Sequence, residues 1–292
     1  MRIAFVGHVC LDVNVVRGSV STLAGGGVVH GAITASRLGA EATVVTRCRA
    51  EDRARFGALA DASVRVVFLP GKRTTSIRNE YRTDNPDDRY SILGSTAEPF
   101  AAGDLAVVDA DVLHVNPLWA GEFPSELIPE AKRHAATLGG DAQGFLRAAS
   151  PADGLLAHRP WADMDRWLPF FDVFKADASE ARSLTGSSEP AEAARRLRDA
   201  GPRTVLVTHK GGVFVAAPDG LHEAAFAPYP MEGRTGRGDT FTAAFLVASG
   251  RMDAAGATTF AAEVTSRKLQ YAGPSRETID PATGRLVTLS RG

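Results

Sequence analysis

Cysteine is nearly absent: 292 residues contain only Cys10 and Cys48. Their spacing matches no metal-binding pattern, and so few thiols in a chain this long fit a reducing compartment. Excess charge of one sign is also missing. The formal net charge is −1, so no global basic field draws the chain to nucleic acid. Lysine is scarce; five lysines leave 28 of the 33 basic residues as arginine, which by itself points to no function. No apolar run approaches membrane-spanning length, and the chain starts on the strand-like run Arg2-Ile3-Ala4-Phe5-Val6 without a secretion signal. The expectation is a cytoplasmic protein with neither a membrane nor a nucleic-acid partner.

Two common nucleotide-binding devices are lacking too. Gly71-Lys72 is followed by Arg73 and has no upstream glycine, so it is not a P-loop. Gly25-Gly26-Gly27 fails the dinucleotide pattern, because His30 stands where the third glycine belongs. Internal repeats and low-complexity tracts are also missing.

What is present is a hydrophobic content of 44%, enough for one large domain, or one domain with a small accessory. Short apolar strands at 2–6, 42–46, 112–115, 138–143, 172–175 and 204–208 alternate with helical patterns at 27–38, 51–60, 122–137, 178–184, 189–200 and 254–271. A hairpin is expected from 213–217 and 221–225. Such alternation predicts an α/β fold with a doubly wound, mainly parallel sheet flanked by helices. Residues 64–93 differ: short alternating stretches are separated by turn signals at Pro70-Gly71 and Asn85-Pro86-Asp87-Asp88. Too few to make a core alone, they predict a small sheet packed on the main body.

The most informative stretch is Gly233-Arg234-Thr235-Gly236-Arg237-Gly238-Asp239-Thr240-Phe241. A tight glycine loop here runs into a helix that is apolar nearly all round and is therefore expected to be buried. Its first amides and its dipole make an anion site. Asp239 is then either a cap or a base facing the anion's reaction partner. Asp12, Asn116, Asp141, Gln143, Lys175 and Asp177 are read at strand ends, where ligands of open α/β sheets bind.

Thr235 to Phe241 resembles the C-terminal signature of the ribokinase-like (PfkB) carbohydrate kinases. Gly25-Gly26-Gly27 with Arg37-Leu38-Gly39-Ala40 resembles the family's N-terminal signature. Gly7 to Asp12 is similar to its first strand and substrate-binding Asp, Phe174 to Glu180 to its Lys-x-Asn-x-x-Glu segment, and Val205 to Thr208 to its nucleotide-side strand. These segments come in family order over almost the whole chain. Asp141-Ala142-Gln143-Gly144-Phe145-Leu146-Arg147 is most similar to the inositol kinase branch.

The resemblance implies one ribokinase-like α/β domain over 1–292, with a lid sheet from about 12–22 and 64–97. It implies transfer of the γ-phosphoryl of ATP, with Mg²⁺, to a hydroxyl of a small polyol or sugar, myo-inositol being the leading candidate. Asp239 would be the general base, and Gly236, Arg237 and Gly238 the anion hole. Asp12, Gly26, Gly27, His30 and Gln143 would bind substrate, and Lys175, Thr208 and Gly212 the nucleotide. Asp177 and Glu180 would help hold the metal through water, though their spacing is equally that of a helix capping box. The lid's strand edges could pair across a homodimer.

Several positions depart from the family pattern. His30 replaces an Asn, Arg237 a small Ala, and Gly233-Arg234, beside Glu232, the usual Asp-Thr. The loop from Thr208 to Gly212 is one residue short. Nucleotide preference and cation activation stay open at these positions. Two rival readings remain: a kinase of a nucleoside or sugar acid, with Tyr81 and Tyr90 as a base slot, and a catalytically silent ligand-binding protein on the same fold.

Overall fold

The computed structural model describes residues 1–81, 89–227, 233 and 235–290. The expected turn at 85–88, Glu232 and Arg234 lie outside the described residues. Fifteen strands are labelled in chain order: β1 (Arg2–Val6), β2 (Cys10–Val16), β3 (Ser19–Gly25), β4 (Glu41–Arg47), β5 (Arg65–Leu69), β6 (Thr75–Tyr81), β7 (Arg89–Leu93), β8 (Val112–Val115), β9 (Thr137–Asp141), β10 (Arg147–Ala149), β11 (Leu156–His158), β12 (Val173–Asp177), β13 (Thr204–Thr208), β14 (Gly212–Ala217) and β15 (Gly220–Ala225).

Nine of them form one sheet in the order β15-β14-β13-β12-β9-β8-β1-β4-β5. Seven run parallel, and β14 and β15 close one side as an antiparallel hairpin. The period of two in β1 explains why it is central. Ile3 and Phe5 enter a core with the helices Gly27–Arg37, Arg237–Ser249 and Ala254–Lys268, while Ala4 and Val6 enter the core of the opposite face. Strand order reverses between β1 and β8. Chains leaving these two ends diverge and leave a crevice, the usual ligand position in such sheets.

A second sheet has the order β3-β2-β6-β7. Its β2 starts three residues beyond Gly7, and β3 returns into Gly26, so its base is anchored beside the carboxyl end of β1. Cys10 and Ile77 on its inner face pack on Leu118, which follows β8. Asp12 therefore lies within this sheet and not at an end of a main-sheet strand.

The expected boundary of the small sheet needs correction at 64–69. β5 is the edge strand of the large sheet, paired parallel with β4. Val66 and Phe68 face one core, and Val67 and Leu69 the other, so both faces are apolar. A strand buried on both sides belongs in the central layer. The helix expected over 122–137 is shorter, Ile128–Arg133, preceded by a single turn at Ser125–Leu127. Pro124 before that turn and Pro129 in the first turn of the helix account for the late start.

Candidate active site

The helix Arg237–Ser249 begins at Gly236, whose φ of 79° is a left-handed conformation that glycine tolerates. Across this end a helical hydrogen bond runs from Thr240 N to Gly236 O at 2.8 Å. The amides of Arg237, Gly238 and Asp239 thus point out of the helix end, with the positive end of the dipole behind them. Asp239 is the third helical residue and not the N-cap, which is Gly236. Its Oδ1 instead accepts a hydrogen bond from Asn116 Nδ2 at 2.9 Å. Asn116 follows β8 at the strand-order reversal and is almost fully buried.

The glycines of both loops make room for polar side chains. A Cβ on Gly25 would lie 2.4 Å from Asp12 Oδ2, and one on Gly27 2.1 Å from Asn116 Oδ1. A Cβ on Gly236 would lie 2.4 Å from the His30 ring, and one on Gly238 2.8 Å from Lys175 Cε. Gly26, with φ 105°, backs onto His8 O. No side chain fits at these positions without displacing its neighbour; the glycines leave room for Asn116, His30 and Lys175 beside Asp239, and for Asp12 against Gly25.

Lys175 is buried in β12 among carboxylates. Its Nζ is 3.2 Å from Asp141 Oδ2 and 3.6 Å from Glu180 Oε2. Burial alone would lower its pKa, but Asp141, Glu180, Asp177 and Asp239 outweigh burial and raise it, so the ammonium stays charged. Burial pushes Glu180 up to about 8 against the pull of Lys175, and also raises Asp141. Asp177 differs. Burial works against its charge, yet Lys175 and the helix amides hold it below the ordinary range. Its Oδ1 accepts from Ser179 N and Glu180 N, each at 2.8 Å, and Glu180 Oε2 accepts from Asp177 N at 2.6 Å. The pair is thus a complete capping box.

His30 is buried, and burial lowers its pKa to about 4, with Lys268 adding to the effect and Asp239 opposing it. The ring is neutral at pH 7, and its Nδ1 has no hydrogen-bond partner among the described residues. Gln143 opens a short helix, Gln143–Leu146, its backbone N–H donating to Asp141 Oδ1 at 3.1 Å. Thr208 ends β13 beside Asp177 of β12, with its hydroxyl buried and unpartnered among the described residues. Gly212 is explained by the hairpin, since a Cβ there would lie 2.3 Å from Ala224 O. Arg237 is half-buried, and its charge helps lower the His209 pKa after burial, which places it toward the β13–β14 turn.

Sequence reasoning passed over several residues. Lys268 is fully buried and donates from Nζ to the carbonyls of Gly233 and Thr235. Burial lowers its pKa to about 8, and attraction to Asp239 opposes this. Nothing local distinguishes it from any lysine ending a helix. On the inner face of the small sheet Ser91 Oγ donates to Asn79 Oδ1 at 2.7 Å, and Asn79 Nδ2 donates to Asn14 Oδ1 at 3.2 Å. Asn79 and Ser91 are buried and face each other across β6 and β7. Asp12 and Asn14 lie two residues apart, hence on the same face. Polar residues alternating in such strands were the available signal. Among the described residues there is no cluster of three or more potential metal ligands, and no helix long and apolar enough to cross a membrane.

The family model of the pfkB family carbohydrate kinases matches residues 2–280. Curated proteins include no match to the chain. Among solved structures, a pyrophosphate-dependent kinase of the ribokinase family in a sulfate complex is 47% identical, with a TM-score of 0.89, covering 94% of this chain and 97% of that one. A pyrophosphate-dependent kinase of that family, complexed with a pyrophosphate analogue and myo-inositol, is 46% identical, with a TM-score of 0.88 and coverage of 94% and 97%. A third structure concerns conversion of a pyrophosphate-dependent myo-inositol-1 kinase into a myo-inositol-3 kinase by replacing an Asn and a Ser with Leu. It is 45% identical, with a TM-score of 0.87 and coverage of 94% and 95%. The Arabidopsis thaliana ribokinase complexed with ribose and ATP, at 20% identity and a TM-score of 0.74 with 94% of each chain covered, shares the fold.

Proposed function

The chain belongs to the pfkB family of carbohydrate kinases and is a phosphotransferase acting on a hydroxyl group; from that premise we propose that it phosphorylates myo-inositol with pyrophosphate as donor. The observation that carries the reading is Asp239, held by Asn116 beside the open amides of Arg237 and Gly238. The carboxylate takes the proton of the attacking hydroxyl. The amides, with that of Gly236, stabilise charge on the phosphoryl group in transit. Asp12, Asn14 and Gln143 meet the ring hydroxyls as acceptors and amides, while Gly26, Gly27 and neutral His30 form the wall.

Pyrophosphate replaces the ATP expected from the family resemblance because the structures 45–47% identical to this chain are of pyrophosphate-dependent kinases. A donor without a nucleoside needs cationic groups and no base slot. Lys175 and Arg237 flank the amides on that side, and the His209 ring is stacked on Phe214 with centroids 5.3 Å apart. Thr208 and Gly212 then shape the turn. Magnesium fits as an ion held through water. Both cap bonds to Asp177 fall on Oδ1, its carboxylate stays charged, and Mg²⁺ keeps several waters. Bound there, it would neutralise charge on the donor.

Hydroxyls 1 and 3 of myo-inositol are related by the ring's mirror plane, so only an asymmetric set of contacts can separate them. We propose that Asn79 and Ser91 supply that asymmetry and direct transfer to position 1. The small sheet then acts as a lid that keeps water from the donor. Its edge strand β3 exposes Val20 at 61% and Leu23 at 58%, which supports pairing with a second copy.

The test is a phosphorus-NMR assay crossing pyrophosphate and ATP with myo-inositol, ribose, fructose, ketodeoxygluconate and a nucleoside. Inositol monophosphate formed from pyrophosphate is the expected product. Transfer only from ATP would reinstate the nucleotide donor. Turnover of the nucleoside or sugar acid alone would replace the substrate. Ligand-induced thermal shifts without turnover on any acceptor would favour a silent binder.

A further inference from the structure

Lys268 carries a charge that the reaction as described leaves unused. It ends the helix Ala254–Lys268, is 0% exposed, and has no carboxylate within ion-pair distance among the described residues. An isolated ammonium in such a place is costly unless its donors are met. Here two of the three are met by main-chain oxygen: Nζ donates to Gly233 O and Thr235 O, in the loop that feeds the anion-hole helix. Its charge also attracts Asp239 and disfavours protonation of His30.

The arrangement has a geometric consequence. In a planar trans peptide the C=O and the following N–H point opposite ways. A cation drawing the Thr235 carbonyl toward itself turns the Gly236 amide the other way, out of the loop. The next residue, Gly236, faces the His30 ring so closely that a Cβ there would lie 2.4 Å from it. Cation and carbonyl together set the direction of the Thr235–Gly236 peptide.

We propose that Lys268 is a positioning residue that serves as a built-in monovalent cation. Its ammonium takes the place of a dissociable ion beneath the anion-hole loop, and turnover therefore needs no added potassium. A compact point charge with three donors suits carbonyl oxygens arranged around a centre. This rests on reading the Gly236–Asp239 amides as the anion hole. It accounts for the Gly233-Arg234 departure, which leaves the loop without the family's usual Asp-Thr.

Steady-state kinetics in tetramethylammonium buffer, with potassium or ammonium titrated in, decide the matter. Wild type should change less than about twofold with either ion. Lys268→Met should keep KM for the acceptor within about threefold and lose about 10²-fold in kcat, the usual effect of a misdirected oxyanion donor. Lys268→Ala should recover at least about tenfold with ammonium or potassium, a response that mere loss of packing would not give. A Lys268→Met enzyme with wild-type kcat, or a wild type stimulated tenfold by potassium, overturns the proposal. Should neither variant fold, the wild-type titration still decides. A wild type that transfers no phosphoryl group to any polyol defeats the reading of the site instead.

Discussion

Asn116 and Asp239, 123 positions apart, are joined by a 2.9 Å hydrogen bond from the amide of one to the carboxylate of the other. The bond orients the acid through a neutral partner. Replacing Asp239 with Asn should lower kcat by roughly 10²–10⁴ while the protein stays folded. Asn116→Ala should lower kcat by about tenfold with little change in melting temperature, since a net hydrogen bond is worth roughly 1 kcal/mol. Single-turnover measurement of phosphoryl transfer checks both.

The proposed role of Asn79 and Ser91 concerns which product forms, not how fast. The double substitution Asn79→Leu with Ser91→Leu removes the polar link across β6 and β7. Turnover should persist within about tenfold, a discrimination of roughly 1–3 kcal/mol being typical of one pocket contact. The product should shift from the 1-phosphate to its mirror image, the 3-phosphate, which chiral chromatography resolves. An unshifted product would remove this pair from substrate orientation.

Substitutions at Asp177 separate its capping role from the proposed metal-related one. Asp177→Ala loses the cap and should cost about 0.5–2 kcal/mol in a denaturant titration. Asp177→Asn keeps a capping oxygen but not the charge. It should leave stability within a few tenths of a kcal/mol and raise the magnesium concentration needed for half-maximal rate.

His114 lies buried in β8 against Phe5, with both ring nitrogens unpartnered among the described residues. Burial lowers its pKa from 6.5 to about 4. Between these values the unfolded chain binds a proton that the folded chain refuses. Its contribution to stability is therefore lost as pH falls from about 6.5 to 4, by at most about 1.4 kcal/mol per pH unit. Unfolding curves of wild type and His114→Leu should converge or cross in the variant's favour as pH is lowered through that window. Parallel curves would mean that His114 does not titrate as described.

Val20 and Leu23 on β3 give the pairing proposal its test. Leu23→Glu puts a charge at the middle of the proposed seam. Sedimentation should find a dimer for wild type and a monomer for the variant, with the melting temperature of the variant monomer unchanged at low protein concentration.

Much of this protein was readable from local pattern. Short apolar runs marked β1 and β13, and the glycine loop before an all-apolar run marked the Arg237–Ser249 helix. Each of these signals lies within a few residues of chain. The ordered motifs from Gly25 to Asp239 then carried the family. Capping-box spacing even foretold the bonds of Asp177 and Glu180.

What only tertiary structure decided depends on residues distant in the chain. Val66 to Leu69 reads as a small-sheet strand until both of its faces are seen to be covered. Asn116 becomes the partner of Asp239 only where two strands diverge, and Asn79 meets Ser91 only through pairing of β6 with β7. Lys268 looks like any helix-terminal lysine until the loop carbonyls close around it. Composition states how many charges the chain carries. Burial and neighbours determine which of them remain charged, and those are properties of the packed molecule.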